Sequence, residues 1–160
     1  MDGGDEMLSV QQSILPSTTF AELEEIVKSC NVRVAGGGVC GWTILMQIVR
    51  CGNLQLAKDV VNKYGFFLVC LGNQHGETPM HVAAALDDED LALEFVRFFS
   101  GLGDVADFNI CNESGVTPRE IAHGMGHRKV VRYLVEHCKV EHYYDLSRRD
   151  WDKKIVLLEN

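Results

Sequence analysis

The chain has 160 residues, 46% hydrophobic and 24% charged, with only three prolines and a formal net charge of −8. That balance excludes wholesale disorder, which needs low hydrophobicity with high charge, and no apolar run approaches the roughly 18 residues that span a bilayer. The acid is concentrated early: residues 1–30 carry six acids against one base, whereas residues 127–160 carry eight bases against six acids, so the body repels nucleic-acid phosphate and favours basic partners.

The first residues, Met1-Asp2-Gly3-Gly4-Asp5-Glu6, are acidic where a secretory or mitochondrial leader is basic, so a cytosolic or nuclear protein is expected. Two short helices are predicted next, over Met7 to Leu15 and Phe20 to Cys30. Pro16-Ser17-Thr18 separates them, and Thr18 or Thr19 is the N-cap of the second. The apolar stripe Phe20, Leu23, Ile26 and Val27 suits a half repeat closing one end of a stack. Residues 1–37 are accordingly a helical cap or degenerate repeat, ending in a connection around Gly36-Gly37-Gly38.

Self-similarity organises the middle of the chain. Gly41-Trp42-Thr43-Ile44-Leu45-Met46, Gly76-Glu77-Thr78-Pro79-Met80-His81-Val82-Ala83-Ala84 and Gly115-Val116-Thr117-Pro118-Arg119-Glu120-Ile121-Ala122 align, with their glycines 35 and 39 residues apart. A period in that range signals a repeat array. Twelve residues after each glycine, at Asn53, Asp88 and His127, a second run begins. Its apolar residues match across the units: Leu56, Val60 and Val61; Leu91, Phe95 and Val96; Val130, Leu134 and Val135. Such spacing makes a helical stripe rather than a strand. Threonine before proline reads as a cap followed by the first helical position, and Gly52 and Gly126 supply the turn between paired helices. Asn73 and Asn112 each stand three residues before a glycine.

The Thr78-Pro79-Met80-His81-Val82-Ala83-Ala84 run closely resembles the ankyrin repeat, whose mark is Thr-Pro-Leu-His followed by alanines. The resemblance covers about residues 38–138, divided 38–72, 73–111 and 112–138. It implies an all-α solenoid of paired antiparallel helices with short β-hairpin fingers and capping helices. The first unit departs from the pattern with Ile44 and Met46, and the third with the polar pair Arg119 and Glu120, as terminal repeats do. Residues 139–160 form a C-terminal capping helix through Trp151, Ile155 and Leu158, started by the capping box Ser147 to Asp150, or else a loose tail.

Signs of chemistry are weak. His123 and His127 flank a glycine turn and share no helix face for zinc. Asp87-Asp88-Glu89-Asp90 lacks the glycine and distal glutamate of a calcium loop and suits a helix N-terminus instead. His81 is expected to hydrogen-bond backbone, and the six cysteines to be reduced and mostly buried. These residues point to no catalytic group, metal or cofactor, and the expected function is non-enzymatic: a protein–protein interaction module, an inhibitor or a scaffold.

Partner-binding residues in ankyrin proteins sit on finger tips and at the ends of inner helices. The resemblance places them here at Val39, Cys40, Trp42, Arg50 and Cys51, at Gln74, His75, Glu77, Ala85 and Leu86, and at Glu113, Ser114, Val116, Gly124 and Met125. For Trp42 the rival reading is burial against the N-terminal cap. The long middle unit, with Asp107-Phe108-Asn109-Ile110-Cys111-Asn112 after it, is similar to the IκB family, short viral mimics included. Those acidic inhibitors mask a basic nuclear-localisation segment of Rel/NF-κB transcription factors. This chain has fewer repeats than they do and no Asp-Ser-Gly-x-x-Ser degron. A substrate-recruiting or regulatory subunit of a kinase or ubiquitin-ligase complex is the other expected class.

Overall fold

The computed structural model describes residues 13–29, 41–103 and 106–138. Within them lie seven α-helices and no strand: α1 (Phe20–Ser29), α2 (Ile44–Arg50), α3 (Leu54–Tyr64), α4 (Pro79–Ala84), α5 (Glu89–Ser100), α6 (Pro118–Gly124) and α7 (Arg128–His137). Most of the helix predicted over Met7 to Leu15, the connection at 30–40 and the expected cap at 139–160 lie outside the described residues.

Each pair begins with a capped short helix. Thr43 Oγ1 accepts the Met46 amide at 3.2 Å, and Thr117 Oγ1 accepts that of Glu120 at 3.3 Å. Each side chain satisfies one of the orphan donors of a first turn, and Pro79 and Pro118 remove another. Glu120 completes a capping box by accepting the Thr117 amide at 2.7 Å. The second helices start on Asn53 and Asp88, whose side chains accept the amides of Leu56 and Leu91, and on His127. In α1 the N-cap is Thr19, whose amide donates to Glu22 at 2.7 Å, an interaction that lowers the Glu22 pKa.

Short helices pack on their neighbours in the order α2, α4, α6, and long ones in the order α3, α5, α7. One continuous core results, with Ile48, Val60, Val61, Ala83, Ala84, Phe95, Val96, Phe99, Ala122 and Val130 fully buried. The alanines allow inner helices to approach closely, while Phe95 and Phe99 fill the wider space beside the outer ones, their rings 6.1 Å apart. The N-terminal segment closes this core with Ile14 and Leu23, both buried. Asn53 ties it on by donating to the Thr18 carbonyl at 2.8 Å. After α3 the chain makes a 3₁₀ turn, Phe66–Cys70, burying Leu68 and Val69 and leaving Phe66 and Phe67 exposed.

Two expectations are corrected. The fingers are tight turns rather than β-hairpins among the described residues. Asn73 Oδ1 accepts the amides of His75 and Glu77, and Asn112 Oδ1 those of Ser114 and Val116. Asparagine thus captures the N–H groups a strand ladder would use, and the backbone bond between the two fingers runs from the Glu113 amide to the His75 carbonyl at 2.9 Å. Cysteines are less buried than expected: Cys51, Cys111 and Cys138 are half-buried and Cys70 is exposed, with no disulfide among them. Each sits at a helix end or in a connection, at the margin of the core.

Gly41 and Gly115 open equivalent units with φ of 73° at both. A β-carbon on Gly41 would lie 2.9 Å from the Gln74 amide nitrogen, whereas none of the neighbours of Gly115 comes within 4 Å. Both alanine variants incur the left-handed strain, about 1–2 kcal/mol, but only Gly41→Ala must also push neighbouring backbone aside. Urea denaturation is expected to show the larger loss for Gly41→Ala. Equal losses would mean that the first finger does not press on the second.

Candidate binding face

Inner helices and finger turns together make one side of the stack. Trp42 leads into α2, and Arg50 ends it with its guanidinium carbon 5.8 Å from the indole centroid, a cation–π distance. Glu77 leads into α4 and is held by Asn73, whose side-chain amide donates to its carboxylate at 2.9 Å. These residues, with His81, Val82, Ala85, Leu86 and Ile121, line a hollow of about 250 Å³. Its walls are apolar, and Glu77 and Arg50 place opposite charges among them. Such a hollow has room for a single apolar side chain, and tryptophan and arginine are residue types enriched among those that dominate interface energies.

The ring of His81 is shared between two units. Its Nδ1 receives the Thr78 amide at 3.1 Å and so carries no proton, and Nε2–H donates to the Val116 carbonyl at 3.1 Å. Burial lowers its pKa, outweighing the opposing effects of the Val116 bond and Glu77. His127 makes the reciprocal link, its Nε2 lying 2.6 Å from the Leu86 carbonyl. On the outer side the Lys129 amide donates to Glu89 at 2.7 Å, and its ammonium group to Asp90 at 2.6 Å. Asp88 therefore serves the helix start, and Glu89 and Asp90 the next unit.

Of the residues expected to bind a partner, the hollow brings together Trp42, Arg50, Glu77, Ala85 and Leu86. Trp42 is half-buried, packs on the core and also lines the hollow. His75 and Glu113 lie apart from the hollow as an exposed pair of neighbouring finger tips, 3.4 Å between Nδ1 and Oε2. Gln74 and Ser114 are exposed in the same turns, and Val116 is half-buried with its carbonyl on His81. Gly124 and Met125 are exposed at the end of α6. Cys51 is directed elsewhere, its thiol donating to the Ile14 carbonyl at 3.2 Å, with burial raising its pKa. Val39 and Cys40 lie outside the described residues.

The face also holds His81, Val82 and Ile121, which the repeat pattern alone does not assign to it. Val82 and Ile121 are equivalent positions, six residues after Gly76 and Gly115, and that repetition is the signal that could have found them. Among the described residues no three of His, Cys, Asp and Glu group as metal ligands, and no helix is long and apolar enough to cross a membrane.

The sequence matches no protein-family model. Over 96 residues, 60% of the chain, it is 29% identical to the human protein Ankyrin repeat domain-containing protein 63, of which those residues span 25%. The likeness is thus to an ankyrin-repeat protein, and the chain spans about a quarter of that relative's length.

Proposed function

We propose that this protein is a non-enzymatic interaction module that holds a partner polypeptide on its inner face, with one apolar side chain of the partner in the hollow between Trp42, Leu86 and Ile121. The observation that carries this reading is the hollow itself: five of the residues expected from the repeat pattern converge there from two units. The partner segment is basic. The chain's net charge is −8, Glu77 stands in the hollow and Glu113 on the neighbouring finger tip, and complementary charge speeds encounter and selects among partners. The finer reading is an IκB-like inhibitor acting on a Rel-type transcription factor in the cytoplasm or nucleus. It is favoured by the long middle unit and the Asp107 to Asn112 stretch.

The test is titration of a labelled peptide rich in lysine and arginine with a single central leucine, monitored by fluorescence anisotropy. Glu77→Lys together with Glu113→Lys is expected to weaken binding at least about tenfold, equivalent to about 1.4 kcal/mol. Trp42→Ala is expected to weaken it at low and high salt alike, because its contribution is contact area rather than charge. Binding indifferent to both variants rules out this face. Affinity capture from cells then separates the finer readings, since recovery of kinase or ubiquitin-ligase subunits in place of a Rel protein favours a regulatory role.

A further inference from the structure

The two gaps between outer helices are built differently. α7 packs on α5 more extensively than α3 does. In the α5–α7 gap the half-buried Tyr133 reaches across, its hydroxyl 2.8 Å from Ser100 Oγ and its ring centroid 5.6 Å from the Arg97 guanidinium carbon. The counterpart of Tyr133 in the middle unit, eighteen residues after Gly76, is exposed Glu94. Lys58 likewise stands in the first unit where the middle unit has buried Leu93, seventeen residues after the opening glycine. Charged side chains keep their heads in water and do not fill a gap as a ring does, so the α3–α5 gap stays open.

The open groove has a volume of about 670 Å³ and is lined by Leu54 and Lys58 of α3, Glu94, Arg97 and Phe98 of α5, and Leu102 just beyond it. Glu94, Phe98 and Leu102 recur at steps of four, one face of a helix, so the groove follows that face for about 12 Å. Its floor is apolar, since Leu54, Phe98 and Leu102 are half-buried and packed on the core. Two cations border that floor. Lys58 Nζ lies 5.9 Å from the Phe98 ring centroid, and Arg97 is exposed over Tyr133. Both rest on aromatic rings, and neither makes an ion pair among the described residues. Glu94 is the third charge of the groove and is paired with neither of them.

We propose that this outer groove is a second docking site, for an acidic segment of a partner protein that carries one aromatic side chain. The ring lies on Leu54, Phe98 and Leu102, filling the first gap as Tyr133 fills the second. Carboxylates flanking it reach Lys58 and Arg97, which in a chain of net charge −8 form a local site for negative charge. The groove shares no lining residue with the inner hollow and selects the opposite charge, so this inference does not depend on the inner face.

The experiment titrates the full chain against a labelled peptide of aspartates and glutamates around a single phenylalanine, followed by fluorescence anisotropy. Saturable binding is expected, and the same peptide with alanine in place of phenylalanine is expected to bind at least about tenfold more weakly, because the buried ring is lost. Lys58→Glu together with Arg97→Glu is expected to abolish binding while circular dichroism keeps the repeat helices. Glu94→Gln, at an exposed site, is expected to strengthen binding about threefold by removing the repelling charge. If the double variant loses helicity, Lys58→Gln takes its place, and Glu94→Gln still reads the groove without touching the core. The proposal is overturned by absence of saturable binding, by equal binding of the alanine peptide, or by binding that ignores the groove variants. Capture of phosphatidylserine vesicles without capture of the peptide also overturns it, because the cations then serve a membrane surface.

Discussion

Phe95→Ala is expected to remove about 3–5 kcal/mol from the unfolding free energy measured in urea, the range for deleting a fully buried aromatic side chain. Phe95 is 0% exposed, it stacks at a tilt on Phe99, and its helix α5 packs on α4, α3 and α7. The equivalent residues Val60 and Leu134 are buried too, but the benzyl group is the largest of the three and leaves the largest void. A loss of that size is a large part of the roughly 5–15 kcal/mol that holds a typical domain together. Its position magnifies it, because in a linear stack the end units are stable only through their neighbours, and a weakened middle uncouples both. Phe67→Ala is the control. That ring is 52% exposed, and its removal should change stability by no more than about 0.5 kcal/mol. If Phe95→Ala costs less than about 1 kcal/mol, the outer helices do not share one continuous core.

The contrast between these two phenylalanines shows which features a sequence discloses. Phe95 belongs to a pattern repeated three times, Val60, Phe95 and Leu134, and a repeated apolar position in a helical register has to face something. The same logic locates the starts of α3, α5 and α7 at Asn53, Asp88 and His127, and the Thr-Pro starts of α4 and α6. Phe66 and Phe67 belong to no repeat. They lie where Gly65, with φ of 116°, turns the chain into a 3₁₀ segment that has no counterpart among the described residues of the next unit. The fingers differ from expectation for a related reason. A hairpin and an asparagine-closed turn share the same polar residues, and the difference lies in whether Asn73 and Asn112 keep the backbone amides for themselves. The hollow is half legible. Trp42, Arg50, Glu77, Ala85 and Leu86 are expected from their places in the unit, whereas Val82 and Ile121 are not assigned to it, because the motif does not say which side of a short helix is left uncovered. The His127 link to the Leu86 carbonyl crosses units at a sequence separation of 41, and no local pattern encodes it.

His81→Leu is expected to lower stability by about 3 kcal/mol near neutral pH, since it strips partners from the buried Thr78 amide and Val116 carbonyl at about 1–3 kcal/mol apiece. The more discriminating result is its pH dependence. In the folded chain Nδ1 accepts an N–H and the ring is buried, so the protonated form is disfavoured and the pKa lies below the ordinary histidine value of 6.5. The unfolded chain therefore binds the extra proton first. The stabilisation is complete above about pH 6.5 and drains away as pH falls from there toward the lower folded value. Acids such as Glu22 also lose stabilising contacts on acidification, but they do so equally in both proteins and cancel in the comparison. Urea titrations at about pH 7.5 and about pH 5 should thus find the gap between the parent and His81→Leu widest at the higher pH and narrowed at the lower. A gap that stays constant would mean that burial does not hold the ring neutral in the folded chain. A narrowing gap accompanied by earlier loss of α6 and α7, monitored by amide hydrogen exchange, would locate the acid-sensitive joint at that single ring.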